Sequence, residues 1–151
     1  MDVIDWLMDH GELWNVTLAE DGYDSYYPEY EEYFYKNESQ HFSQQIAMVV
    51  MILLSKYYAQ IFITNDQNKL LGMINNKDLE KIHNIITKVI VDNKDAVYIL
   101  FTDNTKKQFA MGISGELSVT FANLPLEEKN YVKKLVNKVG LSLYLDKGYW
   151  K

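Results

Sequence analysis

Hydrophobic positions recur along much of the chain at the spacing of helices, and this pattern predicts three of them. Apolar residues from Phe42 to Leu54 repeat every three or four positions, which predicts a long buried helix over about residues 40–59. The same spacing predicts further helices over about 77–91 and 125–139. Ser39 and Asn76 precede the first two of these helices and are the expected N-caps.

Short apolar runs between turn residues predict the strands. The runs over 96–102, 107–113 and 116–122 are separated only by Asp103-Asn104-Thr105 and Ser114-Gly115, so we expect an antiparallel meander. Other predicted strands cover 13–18, 61–64, 69–74 and 141–145. A short helix is expected at the start of the chain, where Ile4, Leu7 and Met8 share a face and Gly11 follows.

The order of these elements predicts an α+β fold. Neighbouring antiparallel strands alternate with helices, so we expect a single domain over residues 1–151 with an antiparallel sheet and the helices gathered on one face. The most apolar run, from Ile46 to Leu54, has nine residues, whereas a membrane-spanning helix needs about 20. The first residues carry three Asp and no Lys, unlike a signal peptide. These features predict a cytoplasmic protein without a membrane partner.

The residue types exclude several kinds of chemistry. The chain has no Cys, so it holds neither a disulfide nor a thiolate ligand nor a cysteine nucleophile. Its seven Gly residues form no phosphate-binding motif, and its three His residues lack partners at metal-ligand spacing. We therefore expect no cofactor, no metal and no catalytic residues. Asp92, Asp95 and Asp103 are the carboxylates that an enzyme of another type would use, although Asp is common in turns for its backbone hydrogen bonds.

Charge is distributed unevenly along the chain. The formal net charge is −6, and all 15 basic residues are Lys. Residues 1–38 contain eleven acidic residues and one Lys, a net of −10, whereas residues 39–151 contain ten acidic residues and fourteen Lys, a net of +4. An acidic chain without Arg is poorly suited to binding phosphates, so we expect no nucleic-acid partner.

The acidic tyrosine segment, residues 20–38, has the most unusual composition. Six of the twelve Tyr residues lie between Tyr23 and Tyr35, interleaved with carboxylates. Such a segment can be disordered or packed on the domain, but Tyr is also enriched in protein interfaces, and carboxylates steer basic partners. The partner-binding residues predicted here are Glu20, Asp21, Asp24, Tyr26, Tyr27, Glu29, Tyr30, Glu31, Glu32 and Tyr33.

This acidic, aromatic and Cys-free character resembles that of bacterial toxin-immunity proteins of the contact-dependent inhibition type. The resemblance is general and is carried by the run DGYDSYYPEYEEYFY over residues 21–35. It implies a protein that binds and occludes a cognate toxin, and the negative charge favours a basic, nuclease-type toxin.

The C-terminal half is similar to secretion-chaperone-like domains of the TY-chaperone type. From Val97 to Leu143 the predicted order is strand, strand, strand, helix, strand, with a Leu-Pro before the helix and Gly140-Leu141 after it. This resemblance implies an alternative function, a chaperone for a secreted protein. Both resemblances imply protein binding, and an enzyme of unrecognised type is the third possibility.

Overall fold

The computed structural model describes residues 1–18, 37–115 and 118–146. Within these ranges the chain forms four helices and seven strands, which confirms the predicted α+β class. In chain order they are α1 (Asp2–His10), β1 (Leu13–Thr17), α2 (Ser39–Lys56), β2 (Tyr58–Thr64), β3 (Leu70–Ile74), α3 (Leu79–Val91), β4 (Ala96–Thr102), β5 (Gln108–Ser114), β6 (Val119–Ala122), α4 (Leu126–Lys138) and β7 (Ser142–Leu145).

All seven strands form one antiparallel sheet in the order β3-β2-β4-β5-β6-β1-β7. The predicted meander of β4, β5 and β6 is present, with Phe101 opposite Phe109 and Met111 opposite Phe121. The strand β1 lies between β6 and β7, so the start of the chain pairs with its last described strand. The sheet therefore joins an early and a late segment of the chain.

The main core lies between one face of the sheet and the helices α2, α3 and α4. The inward residues of α2 include Phe42, Ile46 and Leu53, each at most 1% exposed. They pack in one cluster with α3, α4 and the residues of β4 and β5 at alternating positions, such as Ile99 and Met111. Burial from several sides explains why the middle of α2 is apolar around most of its circumference.

The helix α1 packs on the opposite face of the sheet, so the prediction that the helices gather on one face is wrong for α1. Ile4 and Leu7 form a second, smaller cluster with sheet residues that include Phe62, Leu100 and Ala110. These three lie at the positions that alternate with the main-core residues of β2, β4 and β5. Because both alternating sets of these strands are apolar, the second face also needs cover from water.

The end of α2 differs from its predicted position. The helix ends at Lys56 rather than near Ala59, because Tyr57 is extended and β2 pairs with β4 over its whole length, from Tyr58 opposite Thr102 onward. The hydrogen bonds of this pairing outweigh the helical spacing of the preceding residues.

The first residues of α2 and α3 also differ from their predicted positions. The N-cap of α2 is Glu38 rather than Ser39. The helix α3 begins at Leu79, with Asp78 as its N-cap instead of Asn76, and the Asp78 carboxylate accepts a hydrogen bond from Lys81 N at 3.2 Å. The Asn76 side chain instead donates to the carbonyl of Ala59 at 2.9 Å and so ties the start of α3 to β2.

None of the helices in the described ranges combines the length and the apolar character that a membrane crossing requires.

Candidate protein-binding surface

The helix α1 is amphipathic, and its apolar side fixes it to the sheet. Ile4 and Leu7 are 1% and 5% exposed. Asp2 and Asp5 lie in the first turn, where carboxylates are favourable near the positive end of the helix dipole. The helix ends at Gly11, whose N–H donates to the carbonyl of Leu7 at 2.7 Å; a Cβ at this position would lie only 2.6 Å from the same oxygen. Gly11 thus permits a tight end to the helix.

The outer side of α1 combines apolar and acidic side chains. Trp6 is 60% exposed and Val3 is 46% exposed. Asp2, Asp5 and Asp9 are exposed around them, and none forms an ion pair with a described residue. We call this set of five residues the acidic Trp6 surface.

His10 holds the Trp6 indole in place from the last turn of α1. The two rings stack with centroids 4.7 Å apart and planes 17° from parallel. The His10 Nδ1 donates to the backbone carbonyl of Trp6 at 3.0 Å, which fixes the imidazole on the helix. The exposed indole is therefore partly ordered before any partner arrives, and this reduces the entropy cost of binding.

Exposed apolar residues continue over the same side of the sheet. The register places Tyr58, Phe62 and Met73 on the α1 side, because Phe62 lies opposite Met73 and Tyr58 is four residues from Phe62 along β2. Tyr58 is 65% exposed and Met73 54%. Together with Trp6 and Val3 they place exposed apolar groups on this side of the sheet, as is common at interaction sites.

Glu12, by contrast, is engaged in holding the structure together. Its Oε1 accepts hydrogen bonds from Trp14 Nε1 at 2.8 Å and from Lys129 Nζ at 3.2 Å, and these bonds hold the pKa of Glu12 below its usual range. The Lys129 ammonium also lies 5.0 Å from the centre of the Trp14 ring. This acidic residue therefore ties β1 to α4, whereas the three Asp residues of α1 are exposed and have no ion-pair partner among the described residues.

Tyr98 lies under α1 and has a perturbed hydroxyl. Burial raises the pKa of Tyr98, and the negative charge of Asp5 raises it further. The tight packing continues at Gly112 on β5, where a Cβ would lie 3.0 Å from the Tyr98 ring and 3.1 Å from Met8. Tyr98 therefore packs beneath α1 in its neutral form.

The stability of the protein should therefore fall as the pH rises above about 10, where a tyrosine in the unfolded chain ionises. The pKa of Tyr98 is raised in the folded state, so its favourable contribution is complete below that pH and is lost above it. Tyr98→Phe should lose less stability than the parent between about pH 9 and pH 11 in urea unfolding. Tyr58→Phe, at an exposed position, is the control and should behave like the parent. Equal losses in all three proteins would contradict this role.

The ten residues that the sequence predicts as partner-binding, from Glu20 to Tyr33, all lie outside the described residues. Their assignment stays a prediction. The acidic Trp6 surface was not among the predicted site residues, although the sequence contains its signal: Trp6 is off the face defined by Ile4 and Leu7 and is flanked by Asp residues.

The three turn carboxylates considered for catalysis do not converge. Asp95 directly precedes β4 and Asp103 directly follows it, so the two lie at opposite ends of the strand, roughly 25 Å apart at about 3.3 Å per residue. Asp103 accepts hydrogen bonds from the backbone of Thr105 and Lys107 at 2.9 Å each and so closes a turn. Asp92 is the C-cap of α3. At these positions the three carboxylates cannot all act on one substrate.

Asp95 does line an open polar cleft of about 360 Å³ at the end of the sheet. Its carboxylate accepts from Lys88 Nζ at 3.2 Å, and its N–H donates to Asp66 Oδ1 at 2.8 Å. Both carboxylates thus hold loops in place. No group of three or more His, Asp or Glu residues within the described ranges could hold a metal ion.

The chain was compared with family models, curated proteins and solved structures. No family model, no curated protein and no solved structure matches the chain.

Proposed function

We propose that this chain is a cytoplasmic immunity protein that binds a cognate basic toxin, of nuclease type, and neutralises it by covering its active cleft. The observation that carries the proposal is the acidic Trp6 surface, in which an indole 60% exposed lies beside three exposed carboxylates that form no ion pair with any residue that the structure describes. It supports a protein-binding role because it combines the two features that a steered interface needs, an aromatic anchor and a charged rim.

Each part of this surface has a separate physical role. Trp is among the residues most enriched at the energetic centres of interfaces, because its large, rigid ring buries much area at little entropy cost. Carboxylates at the rim contribute little affinity individually but accelerate encounter with a positive partner. A nuclease must attract phosphates and therefore presents a positive cleft. A protein with an acidic and aromatic front fits such a cleft.

The charge of the sequence around α1 also supports binding to a basic partner. Residues 1–38 carry a net charge of −10, and both α1 and the acidic tyrosine segment belong to this part of the chain. The predicted partner-binding residues between Glu20 and Tyr33 are likewise aromatic and acidic. The contribution of Trp6 to binding can be tested separately from that of these residues.

The proposal is tested by purifying the full chain together with the product of the adjacent gene in its native operon. We expect a toxin whose activity is abolished at a one-to-one ratio. Trp6→Ala should raise the dissociation constant about thirtyfold or more, which corresponds to the ~2 kcal/mol typical of a central anchor. Leu126→Ala, at a residue 77% exposed on α4 across the sheet, is the matched control and should bind like the parent.

A second set of variants tests the charge argument. Glu29, Glu31 and Glu32 changed together to Gln should slow association and reduce its dependence on salt, while dissociation changes little. A partner that has no activity to inhibit and binds as an unfolded segment would favour the chaperone alternative and overturn the immunity proposal. Unchanged binding by Trp6→Ala would show that α1 is not part of the interface with the toxin.

A further inference from the structure

The polar cleft of about 360 Å³ at the end of the sheet opens on the same face as α1. Its floor contains a row of three small side chains, because the strand register places Ala96 between Thr64 and Ser114. Ala96 lies two residues from Tyr98, which packs in the α1 cluster, so the row shares that face of the sheet. Because these side chains are small, they leave the space above them open.

The walls of the cleft are fixed by hydrogen bonds within the protein. Asn65 Oδ1 accepts from the backbone N–H groups of Gln67 and Lys69, at 2.9 and 3.0 Å, and so closes the turn after β2. Asp66 Oδ1 accepts from Asp95 N at 2.8 Å, which joins this turn to the residues before β4. Walls that are already ordered reduce the entropy cost of binding a small molecule.

Thr64 carries a polar group that lacks a partner. Only 1% of the residue is exposed, and its Oγ1 is buried without a hydrogen bond to any described residue. Buried hydroxyls in proteins are nearly always paired, either within the protein or with a bound molecule. Since Thr64 lines the floor of the cleft, a donor group bound there would supply the missing partner.

The charge of the lining indicates the class of molecule that fits. Of the ten described residues that line the cleft, Asp66 and Asp95 are acidic and none is basic. Lys88, which is not among the ten, pairs with Asp95 at 3.2 Å and balances that carboxylate. Asp66 forms no ion pair with a described residue. The remaining negative charge disfavours phosphates and carboxylates and favours a cation.

The uncharged polar groups of the lining fit a donor-rich cation. Amide and hydroxyl oxygens accept hydrogen bonds, and they are supplied here by Asn65, Asn68, Asn93, Thr64, Ser114 and Tyr98. An alkylammonium group has three N–H donors and no acceptor, so it can use several of these oxygens and a carboxylate at once.

We propose that this cleft binds a primary alkylammonium group, carried by a small amine or by a lysine side chain of another protein. The expected acceptors are the Thr64 hydroxyl, which lacks a partner, and the Asp66 carboxylate, which lacks a counterion among the described residues. The site is distinct from the acidic Trp6 surface, because Trp6 does not line the cleft.

The test is a nuclear magnetic resonance titration of the isotope-labelled full chain with putrescine at constant ionic strength. We expect saturable shifts of the backbone N–H signals of Asp95 and Ser114, with a dissociation constant of about 1 mM or tighter for so small a molecule. Butanediol, which has hydroxyls in place of the two ammonium groups, should bind at least tenfold more weakly.

A second probe distinguishes the two sources of the ammonium group. A lysine capped at both its amino and its carboxyl end carries an ammonium only on its side chain. Saturation by this probe as well as by putrescine would indicate that a lysine of another protein can enter the cleft. Saturation by putrescine alone would indicate a site for a free amine.

Two nearly isosteric variants test the proposed acceptors. Thr64→Val removes only the hydroxyl and should raise the dissociation constant of putrescine about fivefold or more, without lowering the urea midpoint of the protein, because that hydroxyl has no partner to lose. Asp66→Asn keeps an oxygen that can accept from Asp95 but removes the charge, and it should weaken binding by at least as much. Thr102→Val, at the other end of β4, is the matched control and should bind like the parent.

Lys88→Met separates a binding role from a structural one. This variant removes the cation beside Asp95, so putrescine should bind more tightly than to the parent, whereas a purely structural role of the ion pair would give no gain in affinity.

Three results would each overturn the proposal: no saturable shifts with either amine at about 50 mM, equal binding of butanediol, or unchanged binding by both Thr64→Val and Asp66→Asn. A bound water as the sole partner of the Thr64 hydroxyl would give the first of these results. The outcome is separate from that of the immunity proposal, because the titration needs no toxin.

Discussion

Phe109→Ala should lower the free energy of unfolding by about 3–5 kcal/mol, the range for removing a fully buried aromatic ring. Phe109 has no exposed surface and lies at the centre of an aromatic cluster in the main core. Its ring is stacked on Phe101 at 5.1 Å between centroids, meets Tyr57 edge-on at 5.3 Å and lies 6.5 Å from Phe121. The substitution therefore removes several favourable ring contacts and leaves a cavity that the surrounding strands cannot close.

Urea unfolding measures this loss, with Tyr58→Ala as the control. Tyr58 is an aromatic residue of the same sheet but is 65% exposed, so its truncation should change stability by no more than about 0.5 kcal/mol. Phe109→Leu retains most of the buried volume and should cost clearly less than Phe109→Ala, which keeps the prediction measurable if the alanine variant does not fold. Similar stabilities for Phe109→Ala and Tyr58→Ala would show that the aromatic cluster is not the centre of the core.

The sequence predicts those elements whose signal is local. The spacing of Phe42, Ile46 and Leu53 requires one buried helical face, and the short turns around Asp103 and Ser114 leave room only for hairpins. The helix α2 and the meander of β4, β5 and β6 follow directly from these patterns. The structure confirms these elements, because the sequence signal for each of them comes from residues close together in the chain.

Features that depend on distant partners are not accessible in the same way. The strand β1 is separated by more than a hundred residues from both β6 and β7, so no local pattern indicates that it lies between them. The end of α2 is likewise decided by β4, which draws Tyr58 into the sheet. The position of α1 on the second face becomes clear only when Phe62, Leu100 and Ala110 are seen to share that face.

For the candidate site, too, the sequence predicts one part and only the structure shows the other. Composition indicates an acidic and aromatic front within residues 1–38, and the described part of that front, α1, does present exposed Trp6 among Asp residues. Composition alone does not tell which acidic residues are available to a partner. Glu12 is bound by Trp14 and Lys129, whereas Asp2, Asp5 and Asp9 form no ion pair within the described ranges, and only the geometry separates the two cases.

Glu128→Ala should lower the free energy of unfolding by about 2 kcal/mol, because it leaves a buried hydroxyl without its acceptor. Tyr57 is 7% exposed, and its hydroxyl donates to the Glu128 carboxylate. The same carboxylate lies 3.7 Å from Lys56 Nζ, which in turn lies 3.5 Å from the centre of the Tyr131 ring. Glu128 therefore joins the end of α2 to the start of α4, and its loss affects several groups at once.

Glu127→Ala is the matched control for this network. Glu127 precedes Glu128 in the first turn of α4 and has the same charge and the same relation to the helix dipole. Its ion pair with Lys107, at 2.8 Å, is exposed on both sides, so its removal should cost much less than that of Glu128. Tyr57→Phe should also cost less than Glu128→Ala, because it removes the hydroxyl together with its need for a partner and leaves Glu128 paired with Lys56. Equal losses from the two glutamate substitutions in urea unfolding would mean that helix charge, and not the buried hydroxyl, determines the stability of this end of the sheet.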